Sequence, residues 1–217
     1  MTKYNLKLIK NDIFSKSKHV AIYNAVDKNI LNNKVCYDVS STQIITFARI
    51  DRVKGLDILV KVATKVLKKH PKWTWKIYGQ IEDKEYFEEL NKMTTDYDLI
   101  NQLQFCSPVD DIVPVLSKSS IYVMTSRYEG LPMSLLEAKA MKLPSVAFDC
   151  PTGPSEIIQD GINGDLVPCY DVEIMSEKIC DLISNEVKRM AYSDNAHNNI
   201  GKFRIENIVQ EWIKLLS

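Results

Sequence analysis

QIITFARIDRVKGLDILVKVATKVLKKHPKWTWKIYG, residues 43–79, holds two short β-rich runs on either side of a longer stretch with a different rhythm. QIITFA (43–48) and TWKIYG (74–79) are rich in β-branched and aromatic residues, the composition of strands. Between them, 55–69 repeats its apolar positions at helical spacing, opening on Gly55 and closing on lysines. The unit reads strand, helix, strand, and it sets the expectation for the rest of the chain.

The alternation runs on in both directions. Further strand candidates are HVAIYN (19–24), LQFC (103–106), IYVMTS (121–126), PSVAF (144–148) and DLVP (165–168), with helical stretches near 83–96, 109–118, 133–142 and 154–159. Most strand candidates are continuously apolar, as expected for strands covered on both faces. Repeated units of this kind predict an α/β fold with a doubly wound parallel sheet of Rossmann type. After 168 only helical stretches remain, near 171–184, 186–199 and 203–216, so extra C-terminal helices are expected. Residues 1–18 mix lysine with isolated apolar positions and complete no element, which makes them the remnant or linker of something preceding a domain over 19–217.

Composition narrows the function. Lys plus Arg and Asp plus Glu number 28 each, and no long basic run exists, so nucleic acid is not an expected partner. The five cysteines, at 36, 106, 150, 169 and 180, form no C-x-x-C pair and suit reduced thiols of a cytoplasmic protein. His19, His70 and His197 are scattered rather than set at ligand spacing, so no metal site is expected. No apolar run approaches the length of a membrane span and no signal peptide is present.

In an open parallel sheet, ligands bind beyond the carboxyl ends of the strands. The strand ending at Ala48 runs into RIDRVKG, which supplies Arg49 and Lys54, and the strand ending at Ser126 runs into RYEGLP, which supplies Glu129. Basic residues in a loop are ordinarily just solvated. Here Arg49 and Lys54 face the edge where helix N-termini also offer positive dipole ends, a combination suited to a diphosphate. In SRYEGLPMSLLEAKAMKLP (126–144), Glu129 precedes a Gly-Leu-Pro break and Glu137 lies inside the following helix. On one unbroken helix residues eight apart would point about 80° away from each other. With the break, the two carboxylates reach different parts of one extended ligand. Gly130 allows close backbone approach, and Pro132 suits a first helical turn.

At these residues the chain resembles the retaining glycosyltransferases of the GT-B fold, the large group 1 or family 4. The resemblance covers residues 19 to about 216 and corresponds to their C-terminal, donor-binding half. It is carried by ARIDRVKG (48–55), the E-x7-E segment EGLPMSLLE (129–137), KLPSV, GPSEIIQDGINGDLV (153–167) and IYNAVD (22–27). Singly these motifs are weak; in this order and spacing they are specific.

The resemblance implies a substrate and a site. The substrate is a nucleotide-diphosphate sugar, UDP- or GDP-linked, with no separate cofactor and no metal, so Asp110 and Asp111 are not metal ligands. Arg49 and Lys54 bind the diphosphate and stabilise it as leaving group, and Glu129 contacts donor-sugar hydroxyls, helped by backbone N–H groups around Gly130, Leu131 and Met133. Glu137 accepts the ribose hydroxyls, and Gly79 and Ser107 flank the base pocket. Three positions depart from the family pattern: Ala48 replaces a glycine, Gly79-Gln80 lacks a second glycine, and Ser107 stands where glycine is usual. The last two leave the base open.

Only about 18 residues precede the donor domain, whereas GT-B enzymes place their acceptor domain first. The expectation is a fragment of a polysaccharide- or glycolipid-building enzyme, inactive alone. Its sugar or lipid-linked acceptor would sit on the missing half, and the full-length enzyme would associate with the inner membrane face. A stand-alone nucleotide-sugar-binding module with a separate acceptor subunit is the alternative. A GT-B epimerase or phosphorylase is disfavoured by the E-x7-E segment.

Overall fold

The computed structural model describes residues 20–33 and 37–217, so the linker expected over 1–18 lies outside the described residues. The elements are α1 (Lys28–Leu31), β1 (Gln43–Phe47), α2 (Leu56–Lys69), β2 (Thr74–Tyr78), α3 (Lys84–Asp96), β3 (Leu103–Cys106), α4 (Val113–Leu116), β4 (Ile121–Met124) and α5 (Met133–Ala140). They continue with β5 (Ser145–Phe148), α6 (Pro154–Ile157), β6 (Gly164–Val167), α7 (Val172–Ser184), α8 (Glu186–Asp194) and α9 (Ile205–Leu216).

The strands form one six-stranded sheet in the order β3-β2-β1-β4-β5-β6. All five pairings are parallel. This is the Rossmann order, one half of a GT-B fold, with its topological switch between β1 and β4. Alternate residues along each strand feed two cores. Ile44, Trp75, Ile77, Val123, Val146 and Phe148 pack with α2 and α7 on one face. Ile45, Tyr122, Met124 and Ala147 pack with α5 on the other. Strands β4 and β5 are buried at every residue, which is why they are apolar or aromatic at every position but Ser145. In α2 the buried positions Leu56, Leu59, Val62, Ala63, Val66 and Leu67 follow helical spacing and turn one face to the sheet.

The strand expected at 19–24 is absent from the sheet. Residues 20–27 pair with no strand and lie over the second core instead. The Tyr23 ring meets Phe203 at 5.1 Å, and Val26 N–H donates to the Phe203 carbonyl at 2.9 Å. The run is apolar because it covers helices; the sheet's edges are β3 and β6. The helix expected over 186–199 stops at Asp194, and Asn199 at φ 69° precedes a 3-10 turn, Ile200–Phe203, that redirects the chain into α9. In α9 only Ile208 is buried. Trp212, Ile213 and Leu216 are 49%, 52% and 80% exposed.

Lys139, on α5, is 1% exposed. Its ammonium donates to the Asn163 carbonyl, and burial lowers its pKa to about 7 from 10.5. Between those values the unfolded chain holds a proton that the folded chain does not, so stability rises with pH across this window. Below it, both states are protonated and the gain is gone. The slope is bounded by one proton, about 1.4 kcal/mol per pH unit. Urea unfolding near pH 7.5 and near pH 9.5 is expected to give a rise that Lys139→Met removes. Equal pH dependence in the two proteins would exclude a buried, titrating lysine.

Candidate functional site

The crevice opens where β1 and β4 part, and the loops leaving these strands are stitched together. After β1, the Asp51 side chain accepts the Lys54 N–H at 3.1 Å and shapes a 3-10 turn, Arg52–Lys54. Gly55 follows at φ 63°, and a Cβ there would come within 2.3 Å of the Thr125 carbonyl oxygen. Thr125 Oγ1 faces the Lys54 and Gly55 carbonyls at 3.3 and 3.2 Å, and Arg127 N–H donates to the Val53 carbonyl at 2.8 Å. The Arg127 guanidinium reaches both carboxylate oxygens of Asp57, at 2.9 and 2.8 Å, and Tyr86 OH donates to the same carboxylate at 2.6 Å. Burial alone would raise the Asp57 pKa. The Arg127 and Tyr86 hydrogen bonds outweigh it, and the carboxyl lies below its ordinary value.

This stitching fixes an ion pair across the switch point. Lys54 Nζ donates to Glu129 Oε1 at 2.7 Å, with only 18% and 11% of the two side chains exposed. Ser126 Oγ donates to the same oxygen at 2.6 Å. Among the described residues nothing donates to Oε2. Thr152 Oγ1 donates to the Glu129 carbonyl and holds the loop from behind. Arg49 lies beside the pair but is more exposed, and it forms an ion pair with Asp51 at 3.1 Å.

Around these groups lies a cleft of about 490 Å³, walled by Arg49, Lys54, Glu129, Leu131 and Met133 and floored by Phe47 and Tyr78. The N-terminus of α5 opens into it, since Ser134 lines the cleft and no side chain caps this helix. The first N–H groups of a helix have no intrahelical partner, so they and the helix dipole favour an anion. Gly130 carries no steric demand from the protein: a Cβ there would meet nothing within 4 Å. Glu137 is one turn into α5 and lines an adjoining depression with Asp27, Lys28 and Ile205; Met133 borders both spaces. Burial raises the Glu137 pKa, and the Asp27 charge adds to it. The Tyr122 hydroxyl donates to Ser134 Oγ at 2.8 Å beneath α5. Its pKa is pushed up by burial and then by the charges of Glu129 and Glu137, so both carboxylates act on one buried group.

Gly79 and Ser107 border a second pocket of about 310 Å³, at the ends of β2 and β3, with Gln80, Phe87 and Phe105. Gly79 has a structural reason of its own. A Cβ would fall 1.8 Å from the Ala48 carbonyl oxygen, so glycine lets the ends of β1 and β2 approach. Asp111 accepts the Val113 N–H at 3.0 Å and heads α4.

Sequence reasoning missed Phe47, Tyr78, Ser134 and the Arg127–Asp57 clamp. Phe47 and Tyr78 end their strands, so asking which residue ends each strand would have found them. Arg127 and Asp57 are distant in sequence and carry no local signal.

Comparison with known proteins adds a lineage. Residues 28–199 match the family described as "Glycosyl transferases group 1". The chain is 31% identical over 207 residues to the poly(ribitol-phosphate) alpha-N-acetylglucosaminyltransferase of Staphylococcus aureus (strain COL), covering 95% of this chain and 40% of that one. It is 37% identical over 146 residues to the amylovoran biosynthesis glycosyltransferase AmsD of Erwinia amylovora, covering 67% and 40% respectively. Among solved structures, a mutant of S. aureus TarM in complex with fondaparinux, alpha-GlcNAc-glycerol and UDP superimposes with a TM-score of 0.80 at 30% identity, over 97% of this chain and 41% of that one. The chain thus spans about 40% of the length of these relatives.

Proposed function

The chain belongs to the glycosyl transferases of group 1, and on that premise we propose that it holds the nucleotide-sugar donor of a retaining glycosyltransferase. The observation that carries the reading is the Lys54–Glu129 pair at the switch point, 2.7 Å apart and largely buried, facing the uncapped start of α5. An incoming diphosphate brings negative charge to Lys54, Arg49 and the α5 N–H groups. Lys54 then turns from Glu129 to phosphate, which frees the carboxylate to accept hydroxyls of the donor sugar. As the sugar departs, charge builds on the diphosphate, where the same cations are already fixed.

Glu137 lines the depression that Met133 joins to this cleft, a placement suited to a ribose beside the phosphates. The pocket bordered by Gly79 and Ser107 is assigned to the base. A 30% identical relative whose crystals contain UDP favours UDP over GDP, and relatives named as a poly(ribitol-phosphate) N-acetylglucosaminyltransferase and an amylovoran biosynthesis glycosyltransferase favour polysaccharide or related polymer synthesis. The acceptor is placed on the part of those relatives that lies outside the match. On that basis the 217 residues bind donor and, alone, transfer no sugar.

Replacing Glu137 by alanine tests the ribose contact. Charge-assisted hydrogen bonds of this kind contribute about 1.5–3 kcal/mol each, so UDP affinity is expected to fall about tenfold or more. Calorimetry with UDP and 2′-deoxy-UDP should show discrimination by the native chain and little by the variant. Equal discrimination by both would remove Glu137 from the ribose site, and a native chain that binds neither UDP nor GDP would sink the donor reading.

A further inference from the structure

Parallel pairing of β5 and β6 brings Cys150 and Cys169 to the same end of two neighbouring strands. The register runs Ala147↔Leu166 and Phe148↔Val167. It continues past the strands, because Asp149 N–H donates to the Val167 carbonyl at 2.8 Å. Two residues beyond Phe148 and Val167 stand Cys150 and Cys169. Paired parallel strands lie about 4.8 Å apart, within the roughly 4.4–6.8 Å Cα separation that a disulfide spans. Both cysteines lie just past the strand ends, Cys169 in the turn that the Asp171 N–H closes on the Pro168 carbonyl at 3.2 Å, and the Cys169 charge is felt at the Cys150 thiol. Phe148 and Val167 share a core cluster, and Cys169 packs against it. Both cysteines are free; Cys150 is buried and Cys169 half-buried.

The segment after Cys150 supports the donor cleft. Thr152 donates to the Glu129 carbonyl, and Gly153, at φ 101°, is so close that a Cβ would fall 2.5 Å from the Gly130 carbonyl oxygen and from Pro132. Drawing Cys150 towards Cys169 moves this support relative to the loop that carries Glu129.

We propose that Cys150 and Cys169 form a reversible disulfide that loosens the donor cleft from behind. The consequence for ligand rests on the donor-binding reading; the bond itself does not. The oxidant is hydrogen peroxide. The Cys169 sulfur, the more exposed of the two, attacks the peroxide, the O–O bond breaks, and sulfenic acid and water form. The Cys150 sulfur then attacks that sulfur, the S–S bond forms, the S–O bond breaks, and a second water leaves with the thiol proton. Two electrons pass from the sulfurs to the peroxide. Burial raises both thiols, Cys150 to about 12, with Glu129 and Cys169 adding to it. Few thiolates are present near neutral pH, so the bond forms slowly, and destabilised thiolates favour the disulfide once made.

The experiment treats the reduced chain with hydrogen peroxide, alkylates it, and cuts after Glu156, between the two cysteines, with a glutamate-specific protease. Fragments joined through Cys150 and Cys169 are expected, with UDP binding about tenfold weaker, the loss of roughly one ligand contact, and restored by dithiothreitol. Cys169→Ser and Cys150→Ser should each keep the reduced chain's affinity and lose its sensitivity to peroxide. Sulfinic acid without a link, a link to Cys36, Cys106 or Cys180 instead, or a correct link with unchanged UDP affinity would each overturn the proposal. A reduced chain that ignores UDP would overturn the donor reading and the effect on ligand with it, while the linked fragments still report on the bond.

Discussion

Replacing Lys54 by alanine in a transfer-competent preparation is expected to lower kcat about 100- to 1000-fold, the usual cost of removing one preorganised charge contact from a transition state. Lys54 sits at the switch point on a turn set by Asp51 and Gly55, so its backbone is fixed before a ligand arrives. On the proposed reading charge grows on the departing diphosphate, and the contact is stronger in the transition state than in the ground state. Lys54→Ala also leaves Glu129, with 11% of its side chain exposed, to Ser126 alone. Melting curves must accompany the kinetics, and Lys54→Arg, which restores the charge, should recover part of the rate. Near-normal kcat with only KM altered would contradict the leaving-group role. Arg49→Ala should act in the same direction but less, because Arg49 is 60% exposed and already paired with Asp51.

Gly79→Ala and Gly130→Ala are expected to separate structure from function at two glycines. At Gly79 a methyl group would fall 1.8 Å from the Ala48 carbonyl oxygen and 2.6 Å from its carbon, both backbone atoms that cannot swing aside. The ends of β1 and β2 must separate, at a cost of about 3 kcal/mol. For a chain of this size that lowers Tm by roughly 6–12 °C. At Gly130 the added methyl meets no protein atom within 4 Å. That variant should melt within about 0.5 kcal/mol of the native chain, as benign surface changes do, yet bind UDP more weakly if the donor passes close to this backbone. A stable Gly79→Ala chain would refute the close approach of β1 and β2. Unchanged UDP binding by Gly130→Ala would remove the 129–131 backbone from the site.

The sheet was legible because each of its strands is a compact apolar run followed by helical spacing. Ile44, Ile45, the whole of β4 and residues 146–148 of β5 are apolar or aromatic for one reason, burial on both faces. The same signal misled at 19–24, because an apolar run states only that a segment is covered. Tyr23 and Val26 are covered by Phe203 and its surroundings, and they pair with no strand. The E-x7-E segment was legible as two carboxylates around a helix start. Their division was not: Glu129 pairs with Lys54, while Glu137 turns to Asp27. That division, with Glu137 lining the depression it shares with Asp27, depends on distant segments. The burial of Lys139 was recoverable, since helical spacing puts it on the side of Leu135 and Leu136, both fully buried.

The single seam between β1 and β4 also governs how the protein assembles. Strands β1, β2 and β3 pair in sequence order, as do β4, β5 and β6, so each half can form from neighbouring segments. Within the sheet the halves pair where Ile44 meets Ile121 and Ile45 meets Tyr122, residues far apart along the chain. Closing that span costs more loop entropy than any pairing within a half, which places it late among folding events. Lys54–Glu129, Asp57–Arg127 and Gly55–Thr125 all cross it. Neither half alone contains the cleft. A nucleotide held there, on the proposed reading, would recognise only the finished fold, slowing its unfolding while leaving the assembly of either half untouched.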